Sequence, residues 1–194
     1  MINSGLQIFL ASKSPRRRKL LKQLGLNFKT FSVDLDEEIF DGEHPIKTVK
    51  RLANQKMDAA LERIEEGIVI TADTIVVLQK EIIGKPENEK YAEKILNKLS
   101  GKTHSVYTGF SIHNTKTKKR ITDYAKTEVT FRKLNRTEIL DYIKSGSPMD
   151  KAGAYGIQDD FGAVFVSKIN GCYYNVVGLP LNKLYSRLLK ILET

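Results

Sequence analysis

Asp73 stands in the middle of an apolar run, Ile68-Val-Ile-Thr-Ala-Asp-Thr-Ile-Val-Val-Leu78. A carboxylate in such a run is costly to bury unless it is paired, hydrogen-bonded or bound to a metal. Two readings stand side by side: an Asp that contacts backbone near a strand end, or a group that does chemistry. Thr74 beside it is either a β-branched strand residue or a ligand contact. Lys56 is the second anomaly, because it falls inside the stripe Val49, Leu52, Ala53, Met57, Ala60, Leu61 and Ile64. A snorkelling lysine is the ordinary account. The other is an anion that must be met on that face.

The segment Ser12-Lys13-Ser14-Pro15-Arg16-Arg17-Arg18 offers a third signal. Ser14 is a good N-cap and Pro15 a good first helical residue. A helix N-terminus presents free N–H groups and partial positive charge, which suit phosphate, and Arg grips phosphate oxygens bidentately. The alternative is a capped helix with a solvated basic face; Arg17, Arg18 and Lys19 cannot all face one site. The segment is not a P-loop, since it lacks the Gly-rich stretch ending in Gly-Lys-Ser/Thr.

Asp34, Asp36, Glu37 and Glu38 form an acidic cluster in which most members read as a solvated loop. One or two could serve a hard cation such as Mg²⁺ or Mn²⁺, which prefers oxygen ligands. Lys85, in Gly84-Lys85-Pro86, is a turn lysine or a cation held near phosphates. The small residues of the 150–158 loop let a ligand approach backbone, and the Gln158 amide can both donate to and accept from a base edge. His44, His104 and His113 are scattered and suggest no base or triad.

The elements that must position these groups follow from periodicity. A strand is expected over 6–11, then a helix opened by Ser14 and Pro15 and closed near Gly25. A second helix is expected over 45–66 and a central strand over 68–78, followed by a turn at Lys80-Glu81. A third helix spans 88–99. Two alternating segments, 103–113 and 120–132, form an antiparallel pair about a polar turn. Asn135 and Glu138 resemble a capping box for a helix to Lys144. Residues 163–169, Asn170-Gly171 and 172–177 predict a hairpin. Pro180 opens a last helix with Leu184, Leu188 and Ile191 inward. The mixed order predicts an α/β protein with a mixed sheet and flanking helices.

At 194 residues, one domain or two tightly packed lobes are expected, and the 41% hydrophobic fraction supplies a core. The net charge of +9 attracts polyanions, so nucleotides, nucleic acids and acidic membranes all enter as partners. The basic residues are spread along the chain without a recognition helix or aromatic RNA-binding motif, which argues against a nucleic-acid module. The single cysteine, Cys172, excludes an intrachain disulfide and fits a reducing compartment. No apolar run is long enough for a membrane helix, and the first positive charges follow the short apolar start, the wrong order for a secretory signal. A cytoplasmic protein is expected.

Taken together, Leu10 to Arg17, Ala72-Asp73-Thr74, Gly84-Lys85-Pro86, Leu99 to His104, Asp150 to Gln158, and Ile169 to Tyr174 through Gly178-Leu179-Pro180 are familiar. In this order they resemble the Maf family, named for septum formation, over residues 10 to 180. The resemblance implies an elongated α/β fold with two lobes around a central cleft, related to the inosine triphosphate pyrophosphatases. It implies hydrolysis of a nucleoside triphosphate to monophosphate and pyrophosphate with a divalent metal, Mg²⁺ or Mn²⁺. It makes Asp73 the catalytic aspartate, assigned as proton acceptor; in the mechanism this suggests, Asp73 takes the proton or holds the metal, with Glu37 the second metal candidate. Ser12, Arg17, Glu37, Lys56 and Lys85 match positions lining the cleft. Arg16, Thr74 and Gln158 match the subgroup acting on dTTP and UTP rather than the one resembling methylated-GTP pyrophosphatases. The spacer Asp159-Asp160-Phe161 is unusually polar. The resemblance is compatible with a homodimer, and leaves room for a cell-division role through a protein partner.

Overall fold

The computed structural model describes residues 5–35, 37–158 and 161–193. Asp36 of the acidic cluster, the Asp159-Asp160 spacer and the first four residues of the apolar start lie outside the described residues. The chain runs β1 (Ile8–Ala11), α1 (Pro15–Lys22), β2 (Phe28–Phe31), α2 (Pro45–Leu61), β3 (Ile68–Leu78), β4 (Glu81–Ile83), α3 (Glu89–Leu99), β5 (Thr103–Asn114), β6 (Arg120–Phe131), α4 (Arg136–Lys144), β7 (Val166–Asn170), α5 (Tyr173–Val177) and α6 (Leu181–Leu192). The strands form a seven-stranded sheet in the order β2-β1-β3-β5-β6-β7, with β4 paired to β3. β1 runs parallel to both β2 and β3, whereas β4 and β7 are antiparallel to β3 and β6. This is the mixed sheet with flanking helices that the sequence predicts. Among the described residues no helix is long and apolar enough to cross a membrane.

The chain divides into two compact units. The first holds Met1–Asp73, Thr108–Ala125 and Gly178–Thr194; the second holds Thr74–Tyr107 and Lys126–Val177. Strand β3, of which residues 68–73 belong to the first unit, is buried on both faces, which is why its sequence is apolar without alternation. Helix α2 lies on this sheet through Val49, Leu52, Ala53 and Met57, all essentially excluded from water. Two polar details fix its depth. Thr71 Oγ donates to the Ala53 carbonyl at 2.7 Å. At Gly109 of β5, an added Cβ would sit 2.3 Å from the Val49 carbonyl oxygen. Gly109→Ala therefore pushes helix from sheet, since neither backbone can give way, and is expected to destabilise by about 1–3 kcal/mol. A urea midpoint equal to that of the wild type would contradict this packing.

In the second unit, Leu96, Leu99, Phe131, Tyr142 and Phe165 are fully buried. Their rings meet edge to face: Phe131 with Phe165 at 5.9 Å and Tyr142 with Phe165 at 5.1 Å between centroids. The expected capping box is present, with Asn135 Oδ1 accepting from Glu138 N–H and Glu138 Oε2 accepting from Asn135 N–H.

Three expectations are corrected. Helix α2 ends at Leu61, not 66. Ile64 still packs on the core around Met57, but the chain must unwind to reach Gly67, whose N–H donates to Thr115 Oγ at 2.9 Å. The turn after β3 is Gln79-Lys80, both at positive φ, and Glu81 already pairs with Leu78. The second arm of the expected hairpin is instead helix α5. Strand β7 takes β6 as its partner. Cys172 N–H donates to Thr127 Oγ, and the buried Asn175 donates to the Val106 carbonyl and Thr127 Oγ, both at 3.0 Å. An asparagine amide that needs these partners turns the chain inward where a second strand would have run on.

Candidate active site

The local fold of the first unit explains how a basic loop becomes a binding element. Ser14 Oγ accepts from Arg17 N–H at 3.3 Å and caps α1, while Ser14 N–H donates to Ser12 Oγ at 3.2 Å. The Arg17 side chain turns back, with Nε donating to the Gly178 carbonyl at 2.8 Å and a terminal nitrogen 3.5 Å from Ser12 Oγ. Burial pulls its pKa below the usual arginine value, against the negative charges of Asp73 and Glu37. Arg is so strongly basic that it stays charged. Arg18 and Lys19 are exposed and belong to the solvated face; Arg16 is half-buried.

Lys56 resolves both anomalies at once. Its Nζ lies 2.5 Å from Asp73 Oδ1 and 2.6 Å from Glu37 Oε1. Asp73 is 6% exposed, so its charge is paired rather than left in an apolar strand. The lysine does not snorkel to water; it joins β3 to the loop before α2.

That loop is held in place by a residue that the sequence reading passed over. The Arg51 guanidinium grips the Glu43 carboxylate at 2.6 and 3.0 Å, donates to the Glu38 carbonyl at 3.0 Å, and lies 4.1 Å from the centre of the Phe40 ring. On the other side, Lys13 pairs with Asp34. Glu37 lies between these two tethers. Of the described members of the acidic cluster, Glu37 alone reaches Lys56. Nothing local marks Arg51 in the sequence, because its partner is eight residues away and outside its helix.

In the second unit, Thr74 is half-buried and Lys85 exposed. The loops bearing Lys85 and Gln158 are tied by Gly153 N–H donating to the Gly84 carbonyl at 3.1 Å. Gln158 Nε2 is shut from solvent and has no hydrogen-bond partner. The structure thus gathers Ser12, Arg17, Glu37, Lys56 and Asp73 in the first unit. It places Thr74, Lys85 and Gln158 in the second.

His104, one of the three scattered histidines, is 2% exposed, with Nε2 2.8 Å from the Tyr155 hydroxyl. Burial lowers its pKa from 6.5 to about 4 and raises that of Tyr155. The unfolded chain therefore binds the proton first as pH falls. His104 contributes stability that is full above pH 6.5 and is lost as pH falls toward 4. The loss is about 3 kcal/mol. His104→Leu is expected to flatten that part of the stability profile, read by urea titration between pH 7 and 4. An unchanged slope would show that His104 does not titrate in this way.

Among the described residues no three His, Cys, Asp or Glu side chains converge as a metal cage. The Glu37 and Asp73 carboxylates nevertheless meet at one point, now filled by an ammonium group. Two oxygen donors fit Mg²⁺ or Mn²⁺, which keeps water and takes substrate phosphates as its other ligands.

Known proteins resemble this chain over nearly its whole length. A family model described as Maf-like protein matches residues 7–191. A Syntrophomonas wolfei protein named dTTP/UTP pyrophosphatase is 46% identical over 92% of this chain and 94% of its own length. Proteins of the same name from Citrifermentans bemidjiense and Aquifex aeolicus are 49% and 46% identical, over 90% and 94% of both chains. The solved Ham1 protein of Staphylococcus aureus shares the fold at TM-score 0.53 and 13% identity, covering 95% of this chain and 98% of its own. With motifs, family model and near full-length relatives in agreement, this chain belongs to the Maf family.

Proposed function

We propose that this protein is a nucleoside triphosphate pyrophosphatase that hydrolyses dTTP and UTP to the monophosphate and pyrophosphate. The observation that carries the reading is the 46–49% identity, over nine-tenths of the chain or more, to proteins named dTTP/UTP pyrophosphatase. The ion-paired cluster of the first unit supports it, because it supplies an acid–base group and cations at the motif positions. The two compact units act as one Maf-like domain.

In this mechanism Glu37 and Asp73 are the residues that would hold Mg²⁺ or Mn²⁺. The metal ion, when bound, lowers the pKa of water and shields phosphate charge. Lys56, which the free protein holds between the two carboxylates, would direct its charge to the triphosphate. Ser12, Arg17 and the capped N-terminus of α1 bind phosphate oxygens, and so does Lys85. Asp73 accepts the proton of the water that attacks the α-phosphorus, at Oδ2, the oxygen outside its Lys56 bond. The cations stabilise charge on the leaving pyrophosphate. Arg16, Thr74 and Gln158 select the base: the Gln158 amide, whose Nε2 has no hydrogen-bond partner in the free protein, donates and accepts on the pyrimidine edge. A site built this way rejects a wrong base because buried polar groups are left without partners.

The test is pyrophosphate release from a panel of nucleoside triphosphates with Mg²⁺ or Mn²⁺. Fast release from dTTP and UTP, stopped by EDTA, is expected. Equal rates on purine triphosphates would remove the base assignment. Tight, salt-sensitive duplex binding with no turnover would favour a nucleic-acid role.

A further inference from the structure

The loop that carries Gln158 is held more tightly than a surface loop requires. Gly153 N–H donates to the Gly84 carbonyl at 3.1 Å. Gly156 N–H donates to the Tyr142 hydroxyl at 3.1 Å. Between them the backbone is strained, with Gly153 at φ 75° and the fully buried Ala154 at φ 58°. A non-glycine residue keeps such a conformation only where its surroundings enforce it. Gly156 has no room for a side chain: an added Cβ would lie 2.8 Å from Lys151 Cε and 3.1 Å from Gln158 Nε2. The Gln158 amide therefore rests on the Gly156 backbone, and its direction follows from where residues 155 and 156 are fixed.

Tyr155 is fixed by one polar contact, its hydroxyl 2.8 Å from His104 Nε2. The direction of that bond can be deduced. His104 Nδ1 is buried without a partner. If Nε2–H donated, both Nδ1 and the phenol hydrogen would be left unsatisfied. If the phenol donates to a neutral imidazole, only Nδ1–H is left. Fewer orphans are favoured, so Tyr155 donates and His104 accepts. The rest of the contact is aromatic: Tyr155 lies 4.7 Å from Phe131 edge to face, and His104 lies 5.0 Å from Phe131. The mechanism above uses neither residue.

We propose that His104 and Tyr155 are a positioning pair that sets nucleobase selectivity through Gln158 without touching the nucleotide. This rests on the assignment of Gln158 to the base. Loss of the bond frees the Tyr155 end of the strained segment. Gln158 then samples several directions, and the advantage of the correct base falls, while the phosphate-binding and proton-accepting groups of the first unit are unaffected.

The experiment compares kcat/KM for dTTP with that for dGTP in four proteins: wild type, Gln158→Ala, Tyr155→Phe and the double variant His104→Leu/Tyr155→Phe. Tyr155→Phe deletes one oxygen and keeps the ring. The double variant removes both polar partners, so no buried acceptor is left alone and folding is restored should the single variant melt early. The expected result is about a tenfold fall in the dTTP/dGTP ratio in Tyr155→Phe and in the double variant. The fall approaches that of Gln158→Ala and enters through KM for dTTP, with kcat within about threefold of wild type. A purely structural bond would lower the melting temperature and leave the ratio alone. If Gln158→Ala lowers the ratio and the folded double variant does not, the positioning role is overturned and the base assignment stands. If Gln158→Ala leaves the ratio unchanged, the base assignment fails and the positioning role fails with it.

Discussion

Asp73→Asn is expected to lower dTTP turnover by roughly 10²–10⁴-fold in a protein that remains folded. The substitution keeps the shape of the side chain in β3. The amide oxygen can still accept from Lys56 Nζ, which keeps its second partner in Glu37, 2.6 Å away. What disappears is the negative charge and the capacity to take a proton. Because Asp73 is 6% exposed, bulk water does not replace it readily. The check is steady-state pyrophosphate release together with a thermal melt. Near-normal turnover in a folded variant would strip Asp73 of its role, and the pairing with Lys56 would then be no more than a means of keeping a buried carboxylate in an apolar strand.

Lys56→Met is the second large effect, and it appears in two measurements. Methionine keeps the unbranched stem in the α2 stripe, so packing is nearly conserved. It removes the ammonium between Asp73 and Glu37, leaving two carboxylates facing each other with Arg17 as a nearby cation. Removing one partner of a buried pair costs about 3–5 kcal/mol. The Glu37 side chain is 41% exposed, so water screens part of that loss and the lower end, about 3 kcal/mol, is expected. Turnover is expected to fall by about 10²-fold, through loss of a cation from the triphosphate. A urea titration and a dTTP assay read the two effects separately. Wild-type stability would show that the two ion pairs are not formed in solution. Wild-type turnover would remove Lys56 from phosphate binding.

The parts of the fold legible in the sequence are those where one local rule decides. Strand β3 was legible because eleven consecutive residues left no polar face, and α4 because Asn135 and Glu138 satisfy each other's backbone. The site was legible where a residue broke its local rule. Asp73 in an apolar strand and Lys56 in an apolar stripe each looked out of place; their ion pair explains both. What was not legible depended on partners distant in the chain. The α5 helix follows from Asn175 meeting Val106 and Thr127, and a hairpin signal read from residues 163–177 alone cannot contain that. The Arg51 clamp on Glu43 and the His104 bond to Tyr155 are of the same kind. The turn at Gln79-Lys80 was misplaced for another reason: neither residue is the Gly or Asn that usually marks positive φ.

The central claim is cleavage between the α- and β-phosphates by water attacking the α-phosphorus. Hydrolysis of dTTP in ¹⁸O-labelled water, followed by mass analysis of both products, tests it most directly. The account predicts one ¹⁸O in dTMP and none in pyrophosphate, with the two products formed in equal amounts and no dTDP. Label in pyrophosphate, or accumulation of dTDP, would contradict it.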